Sequence, residues 1–387
     1  GGLAKMVTML LTLEYCNMDD IVTVTNNKRF PSGQLHVNLK NEEQLTVEDL
    51  LYCVVLANAS DACIVLSERV SGNTEAFVEK MNARVRQMGC TNTNFTNVYG
   101  GDSGQAYTTA RDMARITMEC IKNEKFKELF SAQKYTVPAT NRSDKRVVES
   151  TNYFVYSTNI TKFYDQKVNG GFQSYSTGTG ASLVWTANYH NMDMVFVVLG
   201  CTRQYYENGW QVKVYGNFEE AQTLMNYVYS NFKATRILYN GQALKQFHVS
   251  GADNDMVAEP HLDLDTILPN DAHMDNLIME YTDTGLTAPI TKGDMVATVQ
   301  VWYRNTCLHE AELYSMQDIR KSTDTGLSIL GGADRSDSES RLSKFALIFC
   351  LTALVAVGGY LVINNVLRMR RRARVRRRRS QQRRRDY

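Results

Sequence analysis

Apolar positions recur at helical spacing along the first third of the chain. Residues 5–14 (KMVTMLLTLE) are apolar almost throughout, with good helix formers and no breaker. They predict a helix buried at the heart of a domain, whose first turn can face a cleft. Thr46, Val47, Glu48 and Asp49 then read as a helix start ahead of the apolar run 50–57: a threonine oxygen accepts an orphan amide and the acids favour the N-terminal dipole. Asn58-Ala59-Ser60-Asp61 gives a second N-cap signal directly afterwards. Phe77, Met81, Val85 and Met88 fall on one helical face with Gly89 as the stop, and Met113, Ile116 and Cys120 repeat that spacing after Thr109.

Near Ser182 the period changes. Residues 183–189 and 194–200 are rich in valine, phenylalanine and other aromatics and predict two strands joined by a turn at His190-Asn191-Met192-Asp193. Ala221, Leu224, Met225 and Val228 mark a closing helix. Residues 233–316 alternate in short segments, such as Met295, Ala297, Val299 and Val301, broken by Gly251, Pro260, Pro269, Pro289 and Gly293, which predicts a small separate β domain. Residues 317–344 form a polar linker, and the nineteen residues 345–363 carry no formal charge and predict a transmembrane helix. The division is therefore 1–232, 233–316, 317–344, 345–363 and an Arg-rich tail, 364–387.

A chain of 387 residues with 43% hydrophobic and 22% charged content buries a full core, which excludes a largely disordered protein. Its net charge of +2 conceals a split, since twelve arginines and one aspartate lie between Arg368 and Tyr387, leaving the body acidic. The positive-inside rule places that tail in the cytoplasm and the main domains on the other side of the membrane. The tail suits anionic lipid; no aromatic is interleaved before Tyr387 to stack on bases, so a nucleic-acid partner is not expected. Eight cysteines show neither a CxxC pair nor Cys/His metal spacing, so neither a disulfide framework nor a zinc site is predicted, and no metal or cofactor. The chain starts Gly-Gly without an initiator methionine or a leader, and its N-terminus is read as incomplete.

Taken in order, TVEDLLYCVVLANASDA (46–62), FVEKMNARVRQMGCTNTNFTN (77–97), YTTARDMARI (107–116) and VNGGFQSYSTGTGASLV (168–184) resemble the low-molecular-mass penicillin-binding D-alanyl-D-alanine carboxypeptidases across about residues 1–230. The pairs Asp61-Ala62 and Met81-Asn82, and the runs Phe95-Thr96-Asn97 and Asp112-Met113-Ala114, carry the likeness most specifically. The resemblance implies an α/β (α+β) fold of serine β-lactamase/transpeptidase type, with an antiparallel sheet flanked by helices and a small β domain before the anchor. It also implies a cell-envelope serine peptidase acting on the stem peptides of peptidoglycan.

Acyl transfer through serine needs a nucleophile, a base, a proton relay and donors for the oxyanion and substrate carboxylate. The family supplies these as S-x-x-K, S-x-N and K-T-G. The first motif corresponds to Gly2-Leu3-Ala4-Lys5, which keeps the base position at Lys5 but puts Gly2 where the nucleophile belongs. The second corresponds to Asn58-Ala59-Ser60, so an amide replaces the relaying hydroxyl and Ser60 replaces the asparagine. The third corresponds to Phe172-Gln173-Ser174, with an aromatic ring in place of the cation. Sliding to Ser176-Thr177-Gly178 still lacks the lysine, and Val168, Gly170, Gly180, Leu183 and Val184 favour the unshifted register. A degenerate, non-catalytic envelope protein binding stem peptides or a partner enzyme is therefore expected. An active serine D,D-peptidase with a displaced nucleophile is the alternative.

Overall fold

The computed structural model describes residues 1–25, 33–156, 160–209, 211–283 and 285–322, nearly all within one unit, Gly1–Arg320. Every residue from Lys5 to Thr12 is buried, as a helix apolar on all sides requires. This helix, α1 (Lys5–Tyr15), follows a 3₁₀ turn, Gly2–Ala4. After it come β1 (Ile21–Thr23), β2 (Gln44–Thr46), α2 (Val47–Ala57), α3 (Ser60–Ser71), α4 (Thr74–Gln87), α5 (Ala110–Cys120), α6 (Glu124–Ser131), β3 (Lys134–Val137) and β4 (Arg146–Glu149). Helices α2 to α6 all pack on α1.

Helix α2 begins with a full capping box: the Asp49 amide donates to Thr46 Oγ1 at 3.0 Å, and the Thr46 amide donates to Asp49 Oδ2 at 3.3 Å. The second predicted cap is not formed. The N-cap of α3 is Ala59, without a side-chain bond. Asn58 instead ends α2 in the left-handed region (φ 55°, ψ 32°), a conformation asparagine tolerates, and its amide is thereby aimed at the sheet. Thr109 caps α5 and Gly89 follows α4 with φ +76°, both as the sequence predicts.

The sheet is antiparallel, in the order β5 (Val168–Ser176), β6 (Gly180–Tyr189), β7 (Met192–Cys201). His190 and Asn191 alone make the β6–β7 turn, with φ of 51° and 61°, the pair of positive angles that matches strand twist in a two-residue hairpin. Phe172 and Val184 join the core around α1, whereas Leu183 and Trp185 join a second core with Phe154, Phe163 and Phe218. Successive side chains point to opposite faces, and both faces are covered, which is why 183–187 reads as nearly continuous apolar sequence. Trp185 is fully buried and stacks on Phe196 at 4.9 Å. A short pair, β8 (Arg203–Tyr205) and β9 (Val212–Tyr215), precedes α7 (Gly216–Asn231), which packs on β6 and β7.

The remaining strands are β10 (Phe232–Leu238), β11 (Lys245–Phe247), β12 (Met256–Pro260), β13 (Leu264–Pro269), β14 (Leu277–Asp283), β15 (Met295–Tyr303) and β16 (Thr306–Ser315). They form a two-stranded pair, β10-β13, and a five-stranded sheet, β11-β12-β16-β15-β14, around a third core. Met295 does not continue the inward set of Ala297, Val299 and Val301. A bulge between Met295 and Ala297 leaves it 47% exposed. The Ile319 amide still bonds Ile290 O at 2.8 Å and Asp318 Oδ1 accepts from the Lys292 amide, so these two positions remain tied to the β domain. Among the described residues no helix is long and apolar enough to cross a membrane, and the apolar run 345–363 and the arginine tail lie outside them.

Candidate active site

The polar atoms of α1 position the site. Thr8 Oγ1 donates to Val98 O at 2.6 Å and Lys5 Nζ donates to Tyr99 O at 2.8 Å, which binds the 98–99 backbone along the helix start. Gly100 follows with φ +73°, and a Cβ there would sit 2.1 Å from Gly1 O. Only glycine permits both that angle and that approach.

The segments that carried the resemblance prove to be backbone clamps. Asn82 exchanges two bonds with Phe95, Nδ2 to O and amide to Oδ1, both 2.8 Å. Asn97 does the same with Gly101 at 3.0 and 2.7 Å. The buried Asp112 carboxylate accepts from the Asn92 amide and from Thr93 Oγ1, each at 2.9 Å. Buried Asp61 accepts from the Val37 and Leu39 amides and from Ala62 N. Together these hold the irregular stretch 91–108 and residues 37–39, where backbone donors would otherwise lack partners.

Four of the predicted positions converge. A Cβ built on Gly2 would lie 3.0 Å from Ser174 Cβ, 3.3 Å from Lys5 Nζ and 3.7 Å from Asn58 Oδ1. The 3₁₀ turn brings Gly2, α1 brings Lys5, the left-handed end of α2 brings Asn58 and β5 brings Ser174. Asn58 Nδ2 donates to Gln173 O at 3.0 Å and to Thr151 Oγ1 at 3.3 Å, tying α2 to the sheet. Lys5 is only 3% exposed, and burial lowers its pKa from the ordinary lysine value. A lysine whose charged form is disfavoured is drawn toward the role of a general base, yet the space beside it holds no nucleophilic side chain at position 2.

The other predicted positions point elsewhere. Ser60 Oγ donates to Gln34 Oε1 at 3.3 Å. The Phe172 ring is buried among the α1 core. Gln173 is turned to the opposite side of β5 from Phe172 and Ser174, and its Oε1 is buried without a partner. The slid alternative, 176–178, is a turn pinned by Asp102: Ser176 Oγ donates to Asp102 Oδ1 at 2.7 Å and the Gly178 amide to Oδ2 at 3.2 Å. Beside the cluster lies a cavity of about 270 Å³, lined by Gly1, Leu3, Ala4, residues of 94–108, Met113, Ser174, Thr179 and the facing ends of β6 and β7; Gly2, Lys5 and Asn58 do not line it.

Comparison with known sequences decides the family. The pattern described as D-alanyl-D-alanine carboxypeptidase matches residues 1–203, more than half of the chain, and that of the penicillin-binding protein 5 C-terminal domain matches 232–321. The chain belongs to the D-alanyl-D-alanine carboxypeptidase family. Its relatives include the D-alanyl-D-alanine carboxypeptidases DacA of Haemophilus influenzae, 28% identical over 310 residues (78% of this chain, 72% of that one), and DacC of Escherichia coli, 26% identical over 331 residues (82% and 76%). The crystal structure of penicillin binding protein 5 from H. influenzae superposes with a TM-score of 0.63 at 26% identity, covering 83% of this chain and 90% of that one. A peptidoglycan synthesis regulatory factor (PBP3) from Streptococcus pneumoniae shares the fold, with a TM-score of 0.66 at 19% identity over 82% and 92% of the two chains. The carboxypeptidase fold is thus a mixed α/β penicillin-binding domain followed by a β domain.

Motif reading missed Tyr99, whose carbonyl holds Lys5, and Thr151, which shares the Asn58 amide. Neither carries a local pattern. It also missed that Ser174 and Gly2 meet. The Gly100-Gly101 pair beside Tyr99 was a visible signal of a close backbone approach there.

Proposed function

We propose that this chain is a non-catalytic member of the carboxypeptidase family, anchored in the membrane, that binds peptidoglycan stem peptides or an envelope partner. The observation that carries this reading is the glycine at position 2: no side chain there can form an acyl-enzyme, and Ser174 Cβ crowds the volume such a side chain would need. Residues of a catalytic unit act together, so a base without its nucleophile retains little of the covalent route. Filling the cation's place with Phe172 forfeits a charge-assisted bond to a substrate carboxylate, on the order of 1.5–3 kcal/mol. The clamps on 91–108, by contrast, are kept, and a scaffold maintained without its chemistry fits a binding role.

In this reading 1–232 is the carboxypeptidase-like domain and 233–316 the β domain. Residues 317–344 lead to a membrane helix at 345–363, and 364–387 lie at the anionic cytoplasmic face.

The alternative, an active serine D,D-peptidase with a displaced nucleophile, would draw on Ser174, the hydroxyl residue nearest position 2. Its Oγ is turned toward Gly1, 3.6 Å from a Cβ built there, and among the described residues Lys5 Nζ bonds Tyr99 O instead.

Incubation with a β-lactam followed by intact-mass measurement separates the two. No adduct is expected on the parent. A stoichiometric adduct, mapped by peptide mass to any serine, overturns the non-catalytic reading.

A further inference from the structure

The two edges of the five-stranded sheet in the β domain are guarded differently. The strand order β11-β12-β16-β15-β14 leaves β11 and β14 outermost. β11 is three residues long and begins with Lys245; shortness and an edge lysine are two of the devices by which natural sheets keep another chain from adding to an edge. β14 has neither. It runs for seven residues, LIMEYTD, without lysine or proline, and its register is unbroken from Leu277 opposite Tyr303 to Asp283 opposite Ala297, so no bulge twists the edge away. Among the described residues no strand pairs with its other side, and the main-chain groups directed there form a template for a further strand. Burial alternates along it. Leu277, Met279 and Tyr281 pack against the third core, while Ile278, Glu280 and Thr282 are exposed, Ile278 by 56%.

The exposed face also carries charge of one sign. β14, β15 and β16 together contain Glu280, Asp283, Glu310 and Glu312 and neither lysine nor arginine. Strand pairing sets Gln300 and Glu310 in line with Glu280. Gln300 Nε2 donates to Glu310 Oε2 at 3.0 Å, whereas Glu280 has no hydrogen-bond or ion-pair partner among the described residues. We infer that β14 is a docking edge for an extended, cationic segment of a partner protein, which adds to the sheet as a sixth strand. Main-chain bonds to the free edge supply the affinity. A lysine or arginine in line with Glu280 and an apolar residue beside Ile278 supply the specificity, as cross-strand pairs do within a sheet. A second copy of this chain is a poorer fit. Antiparallel pairing of β14 with itself about Glu280 sets two carboxylates together, and moving the centre by one residue sets Glu280 against Ile278 or Asp283 against Met279. The edge is separate from the residues around Gly2, and the inference holds whether or not those bind stem peptides.

The test uses the full chain in detergent and fluorescein-labelled peptides of the sequence Thr-Thr-Val-Lys-Val-Ile-Val, which in antiparallel register sets its lysine against Glu280 and its isoleucine against Ile278. The same peptide with glutamate for lysine is the charge control. Two further versions are N-methylated at one or the other alternate set of main-chain amides, only one of which can face β14. By fluorescence anisotropy the lysine peptide is expected to bind about fivefold more tightly than the glutamate peptide, and Glu280→Lys is expected to invert that preference. One N-methylated version should lose binding and the other keep it. Bound lysine peptide should also slow hydrogen exchange at β14 amides that exchange fast in the protein alone. Failure of the lysine peptide to bind overturns the inference. Equal binding of both N-methylated versions, or a charge preference that Glu280→Lys leaves unchanged, overturns it as well. So does a β14 already protected in the protein alone, since residues 323–344 or a second copy would then cover the edge.

Discussion

Introducing a serine at position 2 tests whether the site is arranged as described. Gly2 has no positive φ, so Gly2→Ser meets no backbone strain, and within the 3₁₀ turn the change from glycine gains about 0.5 kcal/mol in propensity. The new Cβ arrives 3.0 Å from Ser174 Cβ and 3.3 Å from Lys5 Nζ. The lysine end can move, whereas Ser174 Cβ is fixed to strand β5. Overpacking of this kind costs about 1–3 kcal/mol, so Gly2→Ser should destabilise the protein by about 0.5–2.5 kcal/mol net. Ser174→Gly alone should cost about 0.5–1 kcal/mol as a glycine within a strand. Combined, the two should destabilise by less than their sum, because removing Ser174 Cβ relieves the contact. Urea unfolding of the parent, both single variants and the double variant gives the cycle. A coupling below about 0.5 kcal/mol is the additivity of distant sites and would refute the juxtaposition of Gly2 and Ser174.

Burial lowers the pKa of Lys5, so between that lowered value and the ordinary 10.5 the unfolded chain binds more protons and stability rises with pH. Lys5→Met should therefore be most favoured relative to the parent at neutral pH, with the difference shrinking as pH rises; a flat or widening difference in unfolding free energy refutes it. Glu43 is fully buried and paired with Arg146, which is 16% exposed. Glu43→Gln leaves the guanidinium without a counter-charge and should cost about 3–5 kcal/mol by chemical denaturation, and a loss below about 1 kcal/mol would count against a buried pair. Asp61→Asn weakens the charge-assisted acceptance from the Val37 and Leu39 amides and should cost about 1.5–3 kcal/mol. Faster hydrogen exchange at those two amides is the specific readout, and unchanged exchange there would show that Asp61 does not hold the segment.

Hydrophobic period and cap chemistry act over a few residues, so much was legible without coordinates. The all-round apolar character of 5–12 made α1 a buried helix, Thr46 and Asp49 marked the start of α2, and the apolar run after Ser182 marked the sheet. The motif order also gives the expectation that Gly2, Asn58 and Phe172 stand where the family has a serine, a second serine and a lysine, since identity at a position is a property of the chain alone. Local chemistry misled at Asn58, where the same short amide that can cap a helix start ends the preceding helix instead. The tertiary structure alone decided that Ser174 occupies the space beside Gly2, that Ser60 turns to Gln34, and that Tyr99 O restrains Lys5. Each of these joins residues far apart in sequence, and their meeting is set by how the helices and the sheet pack around α1. No local pattern records that packing.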